Sequence, residues 1–208
     1  MMSIISLRQL KRVSTFWYVS LGFLLVSVPI VMFVHPVSPT LWANEHRTFV
    51  LDYFFEYATK VAEWPVVVAA IVLAYSKHWK TGLYVAGFYG LEALSVWIIK
   101  MALREPRPSL EVGIGALQQV NHIVIHQYNS FPSGHTAAAF MGFGFLSFMT
   151  KNPWLQALCA ICAACIAYSR MYLGQHYLRD LMAGELIALC ILGIYLWLHK
   201  KYPDKGLK

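Results

Sequence analysis

Six long stretches that are poor in charged side chains most restrict what this chain can fold into. The first covers residues 16–34, and the others cover residues 64–76, 82–99, 135–150, 154–168 and 181–198. Only two charged residues interrupt them, Glu92 and Glu185. A helix of about 20 apolar residues spans the hydrocarbon core of a bilayer and satisfies its own backbone hydrogen bonds. The sequence therefore predicts an all-α protein, one integral-membrane domain over residues 1–208 built as a bundle of six transmembrane helices.

Basic side chains are concentrated on one side of the predicted membrane. The net charge of +7 would raise the question of nucleic acid in a soluble protein, but only 13% of the residues are charged, against about 25% in soluble domains. With a cytoplasmic N-terminus, the cytoplasmic segments contain Arg8, Lys11, Arg12, Lys77, Lys80, Lys151, Lys200, Lys201, Lys205 and Lys208. This bias follows the positive-inside rule. We therefore expect both termini in the cytoplasm, a lipid bilayer as the partner and no nucleic acid.

Two of the predicted outer segments are long and partly apolar. Residues 36–63 mix charges with a dense set of aromatic side chains between Phe49 and Tyr57, a composition typical of amphipathic helices in the membrane interface. Residues 109–130 follow two prolines that end the preceding helix, and they include apolar residues such as Val112 and Ile123. We expect interfacial helices in both segments, with the second segment folded over the membrane surface near the polar residues considered next.

Chemically versatile side chains collect at the outer ends of the predicted helices. Three separate parts of the chain supply them: Lys100 and Arg107, then Ser133, Gly134 and His135, then Arg170, His176 and Asp180. If a helix begins near Gln175, His176 and Asp180 are four residues apart on one face. The aspartate can then accept the proton of one ring nitrogen and leave the other nitrogen as a nucleophile or base.

The same residues describe a site for a tetrahedral oxyanion. Lys100, Arg107 and Arg170 supply positive charge, and Ser133 and Gly134 open a helix whose N-terminal amides attract anions. With two histidines, one can act as the nucleophile and the other can protonate the leaving oxygen. Stabilisation of charge on the transferred group is the main task in phosphoryl transfer, so these residue types favour phosphate chemistry.

Other interpretations of the same residues stay open from the sequence alone. The arginine, histidine and aspartate of residues 169–180 could form an ion pair in a surface loop. His135, His176 and Asp180 are also plausible metal ligands, although three neighbouring cations would repel a divalent ion. A small transporter or flippase could use Glu92 and Glu185 to line a path, although the charges cluster at one surface.

The polar residues stand in the order and spacing of a three-part signature: Lys100 and Arg107-Pro108, then Pro132-Ser133-Gly134-His135, then Ser169-Arg170, His176 and Asp180. In this they resemble the type 2 phosphatidic acid phosphatase family, which shares its site with the vanadium-dependent haloperoxidases. No signature residue is missing. The motifs cover residues 100–180, and the six-span layout extends the resemblance to most of the chain.

The resemblance implies a metal-independent phosphatase that uses no cofactor. It implies that His176 forms a phosphohistidine intermediate, that Asp180 orients His176, and that His135 acts first as the general acid and then as the base that activates water. The groups implied to bind the phosphoryl oxygens are Lys100, Arg107, Ser133, the Gly134 amide and Arg170.

The resemblance implies the class of substrate, a lipid phosphate, but not the particular lipid. The membrane branch of the family acts on phosphatidic acid, phosphatidylglycerol phosphate, undecaprenyl pyrophosphate and lipid A phosphates, and the motifs do not choose among them. The compact length suggests a bacterial member with its site on the periplasmic or extracellular side of the plasma membrane. Arg104 and Arg179, beside the signature, are candidates for contacts with the headgroup or a second phosphate. A phosphotransferase using the same phosphoenzyme is an alternative, and the sequence indicates no oligomeric state.

Overall fold

The computed structural model describes residues 14–62, 64–118, 120, 123–124 and 126–201, and within these ranges the chain is almost entirely helical. In chain order the α-helices are α1 (Ser14–Phe33), α2 (Ser38–Glu45), α3 (Phe49–Val61), α4 (Pro65–Lys77), α5 (Trp79–Leu103), α6 (Pro108–Val112), α7 (Gly134–Phe148), α8 (Pro153–Tyr172) and α9 (Leu178–Lys201). Extended pairing in the described ranges is limited to an isolated bridge between Pro106 and Tyr128. The all-α prediction is confirmed for these residues.

Each of the six apolar stretches coincides with a helix, but the helices differ in whether they can cross a membrane alone. α1, α5, α8 and α9 are long and apolar enough. α4 has 13 residues and α7 has 15, fewer than the about 20 that a span needs. α3 and α4 pass the same test as a pair, bent by 43°. The described residues therefore contain four candidate spans, or five with the bent pair, and the six-span bundle stays a prediction.

Short helices occupy both outer segments for which the sequence predicts amphipathic helices. α2 and α3 lie between α1 and α4, and α6 follows α5. Phe55 and Thr59 are buried on one face of α3, whereas Phe49 and Tyr53 are exposed. Their location in the membrane interface stays a prediction, as does the orientation of the chain. Several basic residues used for that orientation lie outside the described residues: Arg8, Lys11, Arg12, Lys205 and Lys208.

α7 lies at the centre of the bundle, where it packs against α4, α5, α8 and α9. The start of α7 meets α9 at Gly184, where a methyl group would overlap the carbonyl oxygen of Ser133. The Ser133 N–H also donates to the carbonyl oxygen of Asp180 at 2.9 Å. The close approach of the two backbones therefore joins the second and third parts of the predicted site.

Side chains of α2 and α3 hold the outer end of α8 in place. Asn44 Nδ2 donates to the carbonyl oxygen of Tyr172 at 2.9 Å, and the Tyr172 hydroxyl donates to Asp52 Oδ1 at 2.7 Å. Thr40 Oγ1 donates to the carbonyl oxygen of His176 at 3.0 Å. These contacts restrict the segment between α8 and α9, which carries the predicted nucleophile.

Candidate active site

His176 and Asp180 face each other at the start of α9. Asp180 Oδ2 lies 3.3 Å from His176 Nδ1 and accepts the backbone N–H of Tyr177 at 3.0 Å. The two side chains are buried, with 2% and 0% of their surfaces exposed. The helix start near Gln175, which the sequence analysis took as a condition, lies three residues later, since α9 begins at Leu178. The pair forms because Asp180 reaches back from the first helical turn to the incoming chain, as a capping side chain does.

A serine that the sequence analysis missed completes this pair. Ser130 Oγ donates to Asp180 Oδ2 at 2.5 Å and lies 3.5 Å from His176 Nδ1. Ser130 is fully buried, so its hydroxyl forms part of a small polar network in a region of low dielectric constant, where such bonds are strong. No local pattern marks Ser130, since it lies 50 positions from Asp180 in the chain.

The N-terminus of α7 forms the second part of the site. Ser133 is its N-cap, and Ser133 Oγ accepts the Thr136 N–H at 3.4 Å and the Thr136 hydroxyl at 2.9 Å. A hydroxyl oxygen accepts two hydrogen bonds and donates one, so the Ser133 proton is left to point elsewhere. With the dipole and the first-turn amides of α7, beginning at Gly134, this end of the helix suits an anion. His135 lies in the same first turn of α7.

Lys100 and Arg107 are both bound to the loop that precedes α7. Lys100 Nζ donates to the carbonyl oxygens of Asn129 at 2.6 Å and Ser130 at 3.2 Å. Arg107 Nε donates to the carbonyl oxygen of Tyr128 at 2.9 Å. The end of the second outer segment therefore lies against the site, as the sequence predicts.

Arg170 approaches from α8 and is buried, with 6% of its surface exposed. Its NH1 donates to Thr59 Oγ1 at 2.6 Å. Thr59 is itself 3% exposed and belongs to α3, so the first outer segment also contributes to the site. The sequence analysis assigned no such role to Thr59.

Gln175 is a third buried side chain at the site, after Ser130 and Thr59, that the sequence analysis missed. Its Oε1 accepts a hydrogen bond of 2.7 Å from Arg107 NH1, and its Nε2 donates to the carbonyl oxygen of Val124 at 3.1 Å. Gln175 is 0% exposed. Because it directly precedes His176, it links the nucleophile segment to Arg107 and to the outer loop.

The electrostatic surroundings keep His176 neutral near physiological pH. Burial holds the pKa of His176 well below its ordinary value of 6.5, and the charges of Arg107, Arg170 and Lys100 lower it further. Burial also lowers the pKa of Arg107 to about 10, while the charge of Asp180 opposes that shift. Arg107 therefore remains protonated at neutral pH. With Nδ1 facing Asp180, the Nε2 atom of a neutral His176 has the lone pair that a nucleophile needs.

Arg104 and Arg179 lie near the site in different settings. Arg104 is exposed at the end of α5, in a left-handed conformation with φ of 48°. Arg179 forms a salt bridge of 2.5 Å with Glu105 and lies over the Tyr177 ring. Its Nε is 3.8 Å from Asp180 Oδ1, beyond hydrogen-bonding distance. Arg179 is therefore held beside the site by Glu105, and the predicted substrate contacts of both arginines stay predictions.

The arrangement of side chains bears on the alternative that His135, His176 and Asp180 bind a metal ion. In the part of the chain that the structure describes, no three or more histidine, cysteine, aspartate or glutamate side chains are grouped so that they could hold a metal ion. His135, His176 and Asp180 thus do not form the ligand set considered above. The cations around them are arranged for an anion.

Sequence comparison places the chain in a family. The family model of the PAP2 superfamily matches residues 79–203. This match covers more than half of the chain and includes every residue of the predicted signature, so the chain belongs to the PAP2 superfamily. With its candidate spans, it is a multi-pass membrane protein of that superfamily.

Individual relatives and a solved structure agree with this assignment. The bacitracin transport permease protein BcrC of Bacillus licheniformis is 35% identical over 88 residues, 41% of each chain. The undecaprenyl-diphosphatase of Sulfolobus acidocaldarius is 31% identical over 80 residues, 38% of each chain. The chain spans less than half the length of the curated relatives it matches. The crystal structure of Aquifex aeolicus LpxE is similar with a TM-score of 0.68 and 26% identity, over 79% of this chain and 96% of LpxE.

Proposed function

We propose that the protein is a metal-independent lipid phosphatase that hydrolyses a phosphomonoester or a diphosphate of an envelope lipid. The observation that carries this proposal is a buried His176 that faces Asp180 and lies among the cations Lys100, Arg107 and Arg170, whose charges lower the pKa of His176. A nucleophile in this setting suits a substrate that carries several negative charges. The cations stabilise charge on the transferred phosphoryl group, which is the largest contribution an enzyme makes to this reaction.

The first chemical step transfers the phosphoryl group to His176. Its Nε2 attacks phosphorus, an N–P bond forms, and the bond from phosphorus to the lipid oxygen breaks. A protonated His135 gives its proton to that oxygen, and the lipid alcohol or lipid monophosphate leaves. The three cations bind the nonbridging oxygens together with the Gly134 amide and the Ser133 hydroxyl, whose two acceptor positions are already used by Thr136.

The second step restores the enzyme. His135 has lost its proton, so it can accept one from a water molecule whose oxygen attacks phosphorus. The N–P bond breaks, inorganic phosphate leaves and His176 returns to its neutral form. Throughout, Asp180 accepts a hydrogen bond from the Nδ1–H of the imidazole, without taking the proton, and stabilises the positive charge on the phosphorylated ring.

The candidate substrates are phosphatidic acid, phosphatidylglycerol phosphate, lipid A phosphate and undecaprenyl pyrophosphate. The similarity to an undecaprenyl-diphosphatase supports the last of these. The positive-inside distribution supports a site on the periplasmic or extracellular side of the bacterial inner membrane, with both termini in the cytoplasm.

The test is phosphate release by the full chain in detergent, with each of the four lipids as substrate and with or without a chelator. The wild-type protein should release phosphate from at least one lipid, unaffected by the chelator and inhibited by vanadate. His176→Ala and His135→Ala should lose at least about 10³-fold in kcat. His46→Ala, a change at an exposed histidine, is the matched control and should keep wild-type turnover. Wild-type turnover in His176→Ala would refute the mechanism.

Further measurements distinguish a phosphatase from two other functions. A phosphotransferase would pass the phosphoryl group from His176 to a lipid acceptor, and acceptor lipids added to the assay would yield a phosphorylated lipid in place of inorganic phosphate. The similarity to BcrC, a bacitracin transport permease protein, also makes transport a second candidate. Lipid or bacitracin movement across reconstituted vesicles that survives His176→Ala would favour a transporter.

A further inference from the structure

A cavity of about 600 Å³ lies between helices of the bundle, on a different face of α9 from the catalytic pair. Its walls come from α1, α2, α7, α8 and α9. On α9 it is lined by Leu178, Leu181, Met182 and Glu185, residues that share one helical face. Asp180 is not among them, and Gly184 faces Ser133 on another side of the helix. The cavity is therefore separate from the site proposed for the phosphoryl group.

The cavity follows the helix axes inward from the end of the bundle that carries the catalytic residues. Along α1 and the residue that follows it, the lining extends from Phe23 to Val34, a distance of about 16 Å at the rise of an α-helix. Ser38 and the exposed Trp42 lie at its outer rim. Because α1, α8 and α9 are candidate membrane spans, the molecules able to enter between them are those of the bilayer.

One carboxyl group, that of Glu185, lines the mostly apolar wall. Glu185 is 5% exposed and lines the cavity. Among the described residues nothing forms a hydrogen bond with its Oε1 atom. A buried polar group without a partner costs free energy, and an ionisable residue within a span is normally paired. The carboxyl therefore calls for a ligand that can form hydrogen bonds at that depth.

We infer that this cavity binds an acyl chain of a bilayer lipid, with the ester or amide linkage of the lipid hydrogen-bonded to Glu185. A carboxyl group accepts hydrogen bonds and in its neutral form also donates one, so it can bind either linkage. The volume falls within the about 300–1,000 Å³ of small-molecule sites. Glu185 lies about 10 Å along α9 from Leu178, so the linkage that it binds lies away from the end of the cavity lined by Ser38 and Trp42. A hydrocarbon without such a linkage leaves Glu185 unpaired.

The experiment measures the melting temperature of the full chain in detergent with two added lipids. One is a diacyl phosphatidylglycerol, and the other is its dialkyl ether analogue, which lacks the carbonyl groups. Neither contains a phosphomonoester, so the measurement does not depend on the proposed phosphatase reaction. A ligand of the folded state raises the melting temperature. The ester lipid should raise it by about 2–4 °C more than the ether lipid, the shift expected for one hydrogen bond in a chain of this size.

Two variants and a control identify the site. Glu185→Leu should remove the difference between the ester and ether lipids, whereas Glu92→Leu should keep it. Glu92 is a matched control because it is also a buried carboxyl in a candidate span and does not line the cavity. Met182→Trp fills the cavity and should abolish the shift with both lipids. An intact helical circular-dichroism signal verifies that each variant is folded.

Any of the following results would overturn the inference. The first is equal stabilisation of the wild-type protein by the ester and the ether lipid. The second is an ester preference that persists in Glu185→Leu, or a full lipid shift in Met182→Trp. The third is a change from dimer to monomer caused by Met182→Trp, which would assign the cavity to a second copy of the chain.

Discussion

Arg107 donates a hydrogen bond of 2.7 Å to the side-chain oxygen of Gln175, the residue directly before His176. The amide nitrogen of Gln175 is bonded to the carbonyl oxygen of Val124. One buried side chain therefore connects a phosphate-binding cation, the nucleophile segment and the outer loop. Gln175 is a positioning residue under the proposed mechanism, since it acts through Arg107 and does not touch the reacting atoms.

Replacement of Gln175 by leucine should weaken substrate binding through Arg107. Loss of a hydrogen bond to a charged group costs about 1.5–3 kcal/mol, so kcat/KM should fall by about 10–100-fold, with most of the loss in KM. Steady-state kinetics with the preferred lipid provide the measurement. Gln175→Glu, which keeps an acceptor for Arg107, should recover part of the loss.

Gln156→Leu is the matched control for that change. Gln156 is also a buried glutamine, 2% exposed, but it lies near the start of α8, far along the helix from Arg170. Its replacement should lower the melting temperature and leave KM unchanged. Equal KM values for Gln175→Leu and the wild-type protein would show that Gln175 does not position Arg107.

Replacement of Ser130 by alanine should reduce kcat with little change in KM. Asp180 loses one donor to Oδ2, and the imidazole is then held less firmly in the geometry required for attack. We expect a decrease of about 10-fold, as for the loss of one ordinary hydrogen bond. Ser147→Ala, at a buried serine of α7 whose hydroxyl bonds the carbonyl oxygen of Gly144, should keep kcat. A normal kcat for Ser130→Ala would show that Asp180 orients the ring unaided.

The acid limb of the pH profile should lie well below pH 6.5. The pKa of His176 is lowered by burial and by the three cations, and the neutral ring is the nucleophile, so on the acid side activity is lost as pH falls through that lowered pKa. The kcat/KM profile reports groups of the free enzyme. Arg107→Gln removes one cause of the lowering, so its acid limb should move to higher pH. Lys151→Gln, at an exposed lysine distant from the site, should leave the limb in place.

The same shift has a consequence for stability with a definite sign. An unfolded histidine binds a proton near pH 6.5, whereas His176 in the folded protein does not. The unfolded state therefore gains protons first as pH falls, and the free energy of unfolding decreases below about pH 6.5. His176→Gln should show a smaller decrease between pH 6.5 and pH 5 in thermal unfolding. An unchanged pH dependence would mean that other groups dominate.

Gly184→Ala should destabilise the fold and weaken anion binding together. The added methyl group overlaps the Ser133 carbonyl oxygen, and relief of that overlap moves the start of α7 away from Asp180. Overpacking of this kind costs about 1–3 kcal/mol, and vanadate inhibition should weaken in parallel. Gly87→Ala on α5, where a methyl group meets nothing within 4 Å, should not destabilise, because alanine favours the helix. A normal vanadate affinity in Gly184→Ala would show that the contact between Gly184 and Ser133 does not influence anion binding.

Arg179→Gln tests whether this arginine contacts a second phosphate. Its side chain is 42% exposed beside the site, and its guanidinium is paired with Glu105. If it binds a diphosphate substrate, kcat/KM for undecaprenyl pyrophosphate should fall about 10-fold relative to that for phosphatidic acid. Glu105→Gln frees the arginine without removing it and should preserve the preference. Equal losses on both substrates would assign Arg179 a structural role alone.

The helices and the signature residues could be read from the sequence because both depend on local patterns. Apolar stretches near the length of a membrane span mark the helices, since a backbone in hydrocarbon must satisfy its hydrogen bonds within the segment. Ser133 before Gly134 marks a helix start by the chemistry of capping. The cations and histidines stand at fixed spacings, so a family signature identifies them without any knowledge of their contacts.

The tertiary structure alone decided which further residues belong to the site. Ser130 and Gln175 act through partners distant in the chain, Asp180 and Arg107. No periodicity or spacing in the sequence predicts such contacts. The start of α9 at Leu178 was also set non-locally, because the preceding segment is held by the carbonyl and side-chain contacts of α2 and the outer loop.

The cavity beside Glu185 also combines a property that depends on the sequence alone with one that depends on the tertiary structure. The sequence identified Glu185 as an unusual charge within a span, a property that depends on one residue and its neighbours. Whether it faces another charge, lipid or an internal space depends on how α1, α7, α8 and α9 pack around it. The sequence by itself thus determined the membrane class, the helices and the chemistry available, whereas packing between distant segments determined the hydrogen-bond partners and the empty volume, because both arise only where separate helices meet.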